Sequence, residues 1–562
     1  MKRVFTTLLT ALTLLVSTSG ASAQSVDFGG LNFNNDIIGW GDMYNLSFTS
    51  HNYGTARSMA MGNAFTALGA DMVSATINPA GIGMYTQSDV SITPMLNFTK
   101  SPTKGSDPVY EGVPSREQEY KDHTERFAMS SIGAIFTVYR GTKALTNFNI
   151  GIAYNRIADF NRSYRSGAFG RPYTESMANL FCTLSNIDGL TTLPDGKMPY
   201  GNDPYYWGAV LAYKNGLTNK DDAGWFIDRI GDTATIDQFS AVNTRGSIGE
   251  YDLTFGFNLL DKIYIGATIG MQSVDYRRNV YYGEDYLYGS YPSGDAMPYQ
   301  LLYMNYVQRT ELSGSGINFK LGITARPIKW LRIGVAYHTP TYYTLSLLYD
   351  AEMWSRTFSA GSNPDGYDIG PLGYMNDSAY TGVWEDSGPN AWNFRSPHRL
   401  LFGGAVTLLQ RIILSVDYER SWYQSVALRH SPIAGLSYRS TMHDVFKGGD
   451  TLRVGAEAYL LPFLALRAGY IWSGSTIREE YRDAIFTHPL LTTDSYITCG
   501  VGIKFNRSVY LDVAYQYNSA KYTSYNAFYA IDSVDAAQDI VSRTLTTDTD
   551  RHIAVVTLGF RF

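Results

Sequence analysis

The chain has 562 residues, a formal net charge of −6 at pH 7 and only 17% charged residues, whereas a typical soluble domain carries about 25%. The lack of a basic excess argues against a nucleic-acid partner, and two cysteines are too few for a disulfide framework. The 44 tyrosines and 53 glycines in so weakly charged a chain are typical of a membrane β-barrel.

The first residues predict a cleaved secretory signal peptide. Lys2 and Arg3 precede an apolar run over 4–16, and a small-x-small cleavage site follows at 21–23. We therefore assign the signal peptide to 1–23, with Gln24 as the first mature residue of an exported protein. A membrane anchor is the alternative, although this run is shorter than the roughly 20 apolar residues that a spanning helix needs.

The segment 24–85 lacks the strand-like alternation that is found in the rest of the chain. Its stretch GTARSMAMGNAFTALGAD, at 54–71, carries small and apolar residues at helical spacing, which predicts a helix. Asn78 and Pro79 then predict a turn, because proline disfavours a helical residue before it. Two glycines lead from this turn into the first strand.

From residue 86 to the end, apolar residues alternate with small or polar ones at the period of a β-strand. In the last stretch, HIAVVTLGFRF, one face holds Val556, Leu558 and Phe560, which is typical of a strand between lipid and a barrel lumen. We predict an all-β transmembrane antiparallel barrel of about 14 strands, at 86–99, 128–140, 146–159, 248–259, 262–277, 308–325, 330–347, 398–409, 411–421, 450–460, 462–474, 494–505, 507–518 and 551–562.

The connections between these strands alternate strictly between short and long. The short ones are at 141–145, 259–262, 326–329, 409–411, 460–462 and 506–508. The long ones are at 100–127, 160–247, 278–307, 348–397, 422–449, 475–493 and 519–550. Outer-membrane barrels have short periplasmic turns and long extracellular loops, so the pattern favours such a barrel over the alternative of a soluble β-sandwich.

A barrel of about 14 strands has a lumen too wide for wall side chains alone to fill. We therefore predict that 24–85 forms an N-terminal extension and a helical hatch inside the barrel of 86–562. An exposed periplasmic extension is the alternative, and the small, weakly charged composition of the segment favours the interior.

The same segment resembles the N-terminal hatch of the FadL/TodX family of outer-membrane transporters for long-chain fatty acids and other hydrophobic compounds. The matching positions are Gly54, Arg57, Gly62, Ala70, Asp71, Asn78, Pro79 and Ala80. The resemblance implies a 14-stranded barrel plugged by the hatch, and passive uptake of a hydrophobic small molecule. It covers only about 30 residues, so no loop residue is assigned a ligand role from it.

Apolar hatch residues are the candidates for a ligand path, because flexible thioethers and rings suit an adaptable apolar surface. These candidates are Met59, Met61, Phe65, Leu68 and Met72. Packing of the hatch against the wall is the alternative role. Arg57 and Asp71 are expected to bond to each other or to wall groups, with Arg332, Asp417, Glu419 and Arg453 as possible wall partners or lumen-lining residues.

The C-terminal strand predicts the cellular location of the protein. A terminal strand finishing in an aromatic residue, here Phe562, resembles the signal by which the barrel-assembly machinery recognises its substrates. We expect a monomer in the outer membrane of a Gram-negative cell, in contact with outer-membrane lipid and a hydrophobic ligand. No cofactor, metal or catalytic residue is expected, since the sequence has no Gly-x-Ser-x-Gly or His-Glu-x-x-His motif.

Two further functions stay open from the sequence. A haem receptor would need axial ligands, and no close pair is found among His51, His123, His338, His398, His430, His443, His488 and His552. A secretion accessory resembling PorV would hold protein partners with its long, Tyr-rich loops. Cys499 shares a face with apolar residues that we expect to meet lipid, so no disulfide with Cys182 is predicted.

Overall fold

A computed structural model describes residues 31–33, 45–47, 52–105, 119–187, 207–228, 230, 234–288, 299–359, 373–380, 384–386, 392–428, 443–481, 488–532 and 540–562. The predicted signal peptide at 1–23 lies outside these residues. Among the helices that are described, none is long and apolar enough to cross a membrane.

The described strands of the first half, in chain order, are β1 (Leu31–Phe33), β2 (Asp89–Gly105), β3 (Glu119–Arg140), β4 (Leu145–Asp159), β5 (Arg162–Pro172), β6 (Thr218–Lys220), β7 (Phe226–Asp228), β8 (Ala234–Leu259), β9 (Ile263–Tyr288), β10 (Tyr299–Ile328), β11 (Leu331–His338), β12 (Tyr342–Ser359), β13 (Gly373–Tyr380) and β14 (Trp384–Asp386). The remaining ones are β15 (Trp392–Arg395), β16 (Arg399–Leu408), β17 (Ile412–Trp422), β18 (Ala427–Leu428), β19 (Gly448–Leu461), β20 (Leu464–Ser473), β21 (Leu491–Lys504), β22 (Val509–Tyr522), β23 (Tyr525–Asn526), β24 (Tyr529–Asp532), β25 (Ile540–Val541), β26 (Thr544–Thr547) and β27 (Thr549–Arg561).

The helices are short. The α-helices are α1 (Ala56–Ala60), α2 (Met177–Ile187) and α3 (Trp207–Lys214), and 3-10 turns occur at Met72–Ala75, Pro79–Met84, Tyr173–Glu175, Tyr423–Ser425 and Glu479–Tyr481.

The wall is a closed antiparallel barrel. β2 pairs with β3 on one side and with the last strand, β27, on the other, so that Asp89 lies opposite both Ile135 and Arg561. Within the described residues the wall has 14 strand positions, several built from two or more segments. The predicted strand number and the barrel are confirmed.

The two faces of the wall alternate as predicted. On β17, Leu414, Val416 and Tyr418 are exposed, while Ser415 and Asp417 between them are buried toward the lumen. The same alternation repeats on the other wall strands, so that the outer surface is a continuous apolar belt. Such a belt on a closed barrel is stable only in lipid, and the protein is therefore a transmembrane barrel of the outer-membrane type.

The six predicted short turns are all present, at one end of the barrel. Two of them are two-residue hairpins with left-handed backbone at both central residues, Leu260–Asp261 (φ 57 and 55) and Leu409–Gln410 (φ 51 and 57). This geometry matches the twist of antiparallel strands. The long connections all lie at the other end. Below, the end with the six short turns is called the short-turn side, and the opposite end is called the long-loop side.

The wall rises further on the long-loop side than the sequence predicts. β8 and β9 have 26 residues each and β10 has 30, against the 9–11 or so that cross a bilayer. The halves of β8, β9 and β10 on the long-loop side pack with α2, α3 and β12 around a large apolar core. The long 160–247 connection is thus partly sheet and helix, a change that local alternation alone does not mark.

The segment before the barrel differs from prediction in its local structure. The helix predicted over 54–71 is limited to the five residues of α1. It ends because Gly62 (φ 59) and Asn63 (φ 52) adopt left-handed backbone, and Gly69 (φ 65) with Ala70 (φ 53) repeats this conformation seven residues later. The segment is a compact coil with one helical turn and two 3-10 turns rather than a helical plug.

The described residues of the N-terminal extension lie at the opposite end of the barrel from the periplasmic extension that was the alternative prediction. β1 pairs with β24, a strand of the long connection before β27, so Leu31–Phe33 is on the long-loop side. Leu46 belongs to the apolar core at the same end. The described part of the extension is therefore not a periplasmic arm.

Candidate functional site

The coil formed by residues 52–85, called the hatch below, lies inside the barrel. It contacts wall strands around the circumference, among them β4, β8, β9, β10 and β20 to β22. Its backbone lies directly on the wall because glycines face it there, and a methyl group at any of these would collide with the hatch. These glycines are Gly256, Gly266, Gly322, Gly334, Gly403, Gly455, Gly469 and Gly500.

The glycines are aligned from strand to strand. Gly256 lies opposite Gly266, and Gly266 opposite Gly322 on the next strand. Gly455 lies opposite Gly469 in the same way. The result is a recess in the wall at the level of the hatch, and this recess is the feature that sequence analysis missed. Its signal in the sequence is a glycine amid apolar residues near the middle of one strand after another.

Polar wall side chains bind the hatch backbone. Asp417 accepts a hydrogen bond from the Thr66 amide at 2.7 Å, and Arg332 donates one to the Leu68 carbonyl oxygen at 2.7 Å. Thr498 donates to the Ala60 carbonyl oxygen at 2.9 Å. Because a coil has few internal hydrogen bonds, these side chains satisfy backbone groups that would otherwise be buried without partners.

The main charged contact joins Arg57 to Glu457. Two guanidinium nitrogens of Arg57 donate to the two carboxylate oxygens at 3.2 and 2.9 Å, and a third donates to the Ala70 carbonyl oxygen at 3.2 Å. Glu457 also accepts from Arg467 at 2.8 Å, and Arg467 reaches Asp512 at 2.6 Å. Arg57 thus bonds to a wall group as predicted, but the partner, Glu457, was not among the four candidates.

Asp71 is used inside the hatch. Its Oδ1 accepts from the Thr55 hydroxyl at 2.8 Å and from the Val73 amide at 3.1 Å, which caps the 3-10 turn at Met72–Ala75. Burial raises the pKa of its carboxyl group. The expected bond to Arg57 or to a wall group is therefore replaced by two contacts within the hatch.

The other predicted wall charges have separate roles. Arg332 and Asp417 hold hatch backbone, as described above. Glu419 pairs with Arg453 at 2.8 Å and with Arg399 at 3.4 Å, and this cluster lines the lumen. A further buried cluster joins Lys320 to Glu250 and, at 3.0 Å, to Asp252.

This lysine cluster also reaches the hatch, since Asp252 accepts from the Thr76 hydroxyl at 2.9 Å. Sequence analysis did not single out these residues, because a charge on a lumen-facing position gives no indication of its partner.

The Asn-Pro-Ala motif fixes the exit from the hatch. The Asn78 Oδ1 accepts from the Ala80 amide at 3.1 Å, and its amide nitrogen donates to the Thr66 carbonyl oxygen and to Thr324 at 3.2 Å. Pro79 starts the 3-10 turn, where its missing amide hydrogen is not needed. One side chain thereby joins two parts of the hatch to the wall.

The remaining motif glycines sit at tight contacts. Gly54 exchanges hydrogen bonds with Ser130 through both its amide (3.1 Å) and its carbonyl oxygen (2.7 Å). Gly62 has the left-handed backbone described above and lies against Gly469.

The five ligand-path candidates are all buried, and they fall into three clusters. Met59 packs with Met95 and Ile553. Met61, Phe65 and Leu68 pack against wall residues that include Leu401, and Met72 packs with Ile82 and Ile135. Only Met72 also borders a cavity discussed below, so the assignment of the other four to a ligand path stays a prediction.

The hatch separates two cavities of the lumen. The first lies on the long-loop side. Aromatic rings dominate its lining, together with arginines and two aspartates; the lining includes Tyr53, Asp159, Phe160, Arg162, Tyr164, Tyr276, Arg278, His488, Asp494, Tyr496, Tyr522 and Arg551. Its aromatic and apolar lining residues are of the kind that line small-molecule sites.

The second cavity lies on the short-turn side of the hatch. It is bordered by hatch residues Arg57, Asp71 and Met72, and by wall residues that include Lys504 and Arg561. The same hatch residues that bind Glu457 and cap the 3-10 turn therefore face this cavity, so any displacement of the hatch changes its shape.

The described histidines do not form one group. His338 bonds to the Ile77 carbonyl oxygen at 2.9 Å, His398 stacks on Trp422, and His552 bonds to Tyr515 at 2.7 Å. His488 lines the long-loop-side cavity and contacts Arg278. His123 is on β3 and His443 is exposed beside Asp444, whereas His51 and His430 lie outside the described residues.

The remaining predicted features are the C-terminal aromatic residue and the two cysteines. Phe562 is exposed on the short-turn edge, where its backbone pairs with Ser88; its role in insertion stays a prediction. Cys499 is exposed on the outer face, and Cys182 is buried in α2, and both are free thiols.

The chain was compared with known proteins. No family model and no curated protein match it. Among solved structures it is similar to the P. putida toluene transporter TodX, with 13% identity, TM-score 0.48, and coverage of 91% of this chain and 99% of that one. It is also similar to the Ralstonia pickettii toluene transporter TbuX, with 14% identity, TM-score 0.45 and coverage of 91% and 99%.

A FadL homologue from Pseudomonas aeruginosa matches with 12% identity, TM-score 0.45 and coverage of 91% and 97%. These matches include structures of the family that the hatch motif resembles. At such identities and TM-scores they carry no argument about the ligand, and the fold and the site described above rest on the contacts of this chain itself.

Proposed function

We propose that the protein is an outer-membrane channel for the passive uptake of hydrophobic small molecules. One observation carries the proposal: two cavities face each other across a hatch that non-covalent contacts hold in the lumen. A hydrophobic molecule that cannot easily cross the polar outer surface would enter the aromatic cavity on the long-loop side and leave after the hatch shifts.

The hatch is suited to movement because of how it is held. Its contacts are hydrogen bonds, small apolar clusters and one bidentate ion pair, and the net contribution of a typical hydrogen bond is about 1 kcal/mol. A ligand that binds better when the hatch is displaced would shift this equilibrium by its difference in affinity for the two states.

A reversible crosslink between hatch and wall tests the proposal. The position of a Cβ atom at Gly151, on wall strand β4, lies 3.8 Å from Cγ2 of Ile82 in the hatch and meets no atom closer than 3.5 Å, which is within reach of a disulfide, whose Cβ atoms lie roughly 3.8 Å apart. In a background with Cys182→Ser and Cys499→Ser, the oxidised Ile82→Cys/Gly151→Cys variant should still bind oleate or toluene, but uptake of these compounds by cells that lack another such channel should stop. Reduction should restore uptake.

The two single-cysteine variants serve as controls and should be insensitive to oxidant. Equal uptake by the oxidised and reduced double variant, with the crosslink shown by mass spectrometry, would contradict a path that needs the hatch to move. Uptake no greater than in cells without the protein would contradict the channel itself.

A second candidate function, a scaffold for protein partners, is favoured by one observation on the long-loop side. The hairpin β6–β7 exposes Trp225 and Ile227, and aromatic residues are enriched in protein interfaces. Cross-linking of intact cells through a photoreactive residue at position 225 would capture a partner protein reproducibly if this function holds.

A further inference from the structure

The outer surface of the wall has a polar groove on the long-loop side. Within the described residues, β3 pairs with β4 only as far as Ser131, opposite Asn155, so the half of β3 on the long-loop side departs from β4. A groove opens there between β3 and β8. Its lining has two arginines and one acidic residue among neutral polar groups, and consists of Thr124, Glu125, Arg126, Asn161, Asn243, Thr244 and Arg245.

The groove lies at the boundary of the apolar belt. Phe127, the residue after Arg126, is 71% exposed on the outer face, and it lies opposite Leu96, which is also exposed. On β8 the belt ends at Tyr251, whose ring lies 5.2 Å from that of Tyr154 on β4. Aromatic residues of this kind flank the hydrocarbon core in outer-membrane barrels. The groove therefore faces the headgroup region of the outer leaflet.

The two arginines of the groove are exposed and carry no internal partner. Neither Arg126 nor Arg245 has a hydrogen bond or an ion pair with any residue that the structure describes. Arg277, on the strand next to β8, differs in this respect, because it binds Glu311 at 3.1 Å and Asp275 at 3.3 Å. The guanidinium groups of Arg126 and Arg245 are thus both accessible to a ligand and free to donate to it.

The position of Arg245 in the sheet also favours a bound anion. Arg245 lies directly opposite Arg277 in the ladder between β8 and β9, and like charges at opposed positions destabilise a sheet. The two carboxylates that bind Arg277 form no ion pair with Arg245. Two arginines against Glu125, the one acidic residue of the described lining, give the groove a formal excess of one positive charge.

We propose that this groove binds a phosphate group on the sugar headgroup of an outer-leaflet glycolipid. Arg126 and Arg245 border the groove from two different strands, and their planar guanidinium groups suit bidentate donation to phosphate oxygens. Basic pockets at a membrane surface bind anionic headgroups in this way. Phe127 would pack against the lipid beside the headgroup. The inference concerns the lipid around the barrel and goes beyond the uptake proposed above.

Lipids that differ only in their phosphate groups test the proposal. The probes are lipid A with two phosphates, with one phosphate and with none, added to the full-length protein in a non-ionic detergent. Native mass spectrometry should show the largest bound fraction for the form with two phosphates and the smallest for the form with none. Inorganic phosphate at the same concentration should not displace the lipid, because it lacks the acyl chains that pack on the apolar belt.

Arginine variants show whether the headgroup is held where we propose. Arg126→Gln and Arg245→Gln should each weaken binding of the lipid with two phosphates by about tenfold, and binding of the phosphate-free lipid by less than about twofold. Arg126→Lys keeps the charge but loses the planar donor set, and should recover part of the loss. The matched control is Arg420→Gln, which removes the same charge from the outer face at a place where Arg420 already pairs with Asp450. This variant should bind as the wild type does.

Equal binding of the three lipids, or equal effects of Arg126→Gln and Arg420→Gln, would overturn the proposal. Displacement by inorganic phosphate would overturn it in favour of a soluble anion. Tighter binding of palmitate than of lipid A, lost in Arg126→Gln, would overturn it in favour of the transported molecule. If one glutamine variant does not fold to a heat-modifiable barrel, the other provides the same comparison from a different strand. Because lipid binding is measured without uptake, it can fail or succeed independently of the proposed function.

Discussion

The contact between hatch and wall differs from the long-loop-side cavity in how its polar groups are used. At the hatch, Glu457, Asp417 and Arg332 each have a partner on the other side of the contact. In the cavity, Arg162 and Arg551 keep buried Nε atoms that no described group satisfies. The hatch contact is thus held by bonds that cross it, whereas Arg162 in the cavity is held mainly by its stacking on Tyr522 and Tyr164.

The largest effect on the position of the hatch is expected from filling the recess in the wall. A side chain at Gly266 would meet the backbone of Pro79 and Ala80, and backbone cannot move aside locally. We expect Gly266→Val to displace the hatch, to open a steady ion conductance in planar bilayers, and to leave the barrel folded.

Gly404→Val is the matched control, because no atom lies within 4 Å of the position that its Cβ would occupy. A Gly266→Val protein with the conductance of the wild type would show that the recess does not position the hatch.

A smaller effect is expected from breaking the ion pair between hatch and wall. Glu457→Gln leaves the buried guanidinium groups of Arg57 and Arg467 without their shared carboxylate, and removing one partner of a buried pair costs roughly 3–5 kcal/mol. Amide hydrogen exchange within 52–85 should rise strongly, while exchange in β8 to β10 should change little.

The double variant Arg57→Gln/Glu457→Gln sharpens this test, because the hatch then carries no buried guanidinium group that has lost its carboxylate partner. It should protect the hatch amides better than Glu457→Gln does. If both variants exchange at the wild-type rate, the ion pair does not hold the hatch.

The smallest effect is expected from a single neutral hydrogen bond. Thr498→Val keeps the shape of the side chain but removes the donor to the Ala60 carbonyl oxygen, and should weaken protection around α1 by about 1 kcal/mol. Thr492→Val, which removes a bond to Lys521 at an exposed edge, should leave α1 unchanged. A loss as large as that in Glu457→Gln would mean that charge does not dominate the contact.

Much of the wall could be predicted from the sequence, because each strand carries its own pattern. Leu414 and Val416 on one face of β17, with Ser415 and Asp417 on the other, identify lipid and lumen sides without knowledge of any neighbour. The short turns follow for the same reason. The upper halves of β8 to β10 could not be predicted, since above the membrane no lipid face requires an apolar residue at every second position.

The sequence predicted the position of the hatch in the chain but not its local structure. The Asn-Pro-Ala motif and the small residues before it indicated a plug, yet its one short helix depends on left-handed backbone at Gly62, Asn63, Gly69 and Ala70. A helical spacing of apolar residues does not reveal such breaks. In this segment the apolar positions serve three wall clusters rather than one helix face.

The sequence by itself determined the architecture of the wall: a barrel of 14 strands, and the side of each strand that faces lipid. These properties follow from local periodicity and turn residues. Only the tertiary structure decided that Arg57 meets Glu457, that glycines from distant strands form one recess, and that Arg162 and Arg551 share a cavity. The physical reason is that barrel closure brings together residues hundreds of positions apart, and no local pattern encodes which of them meet.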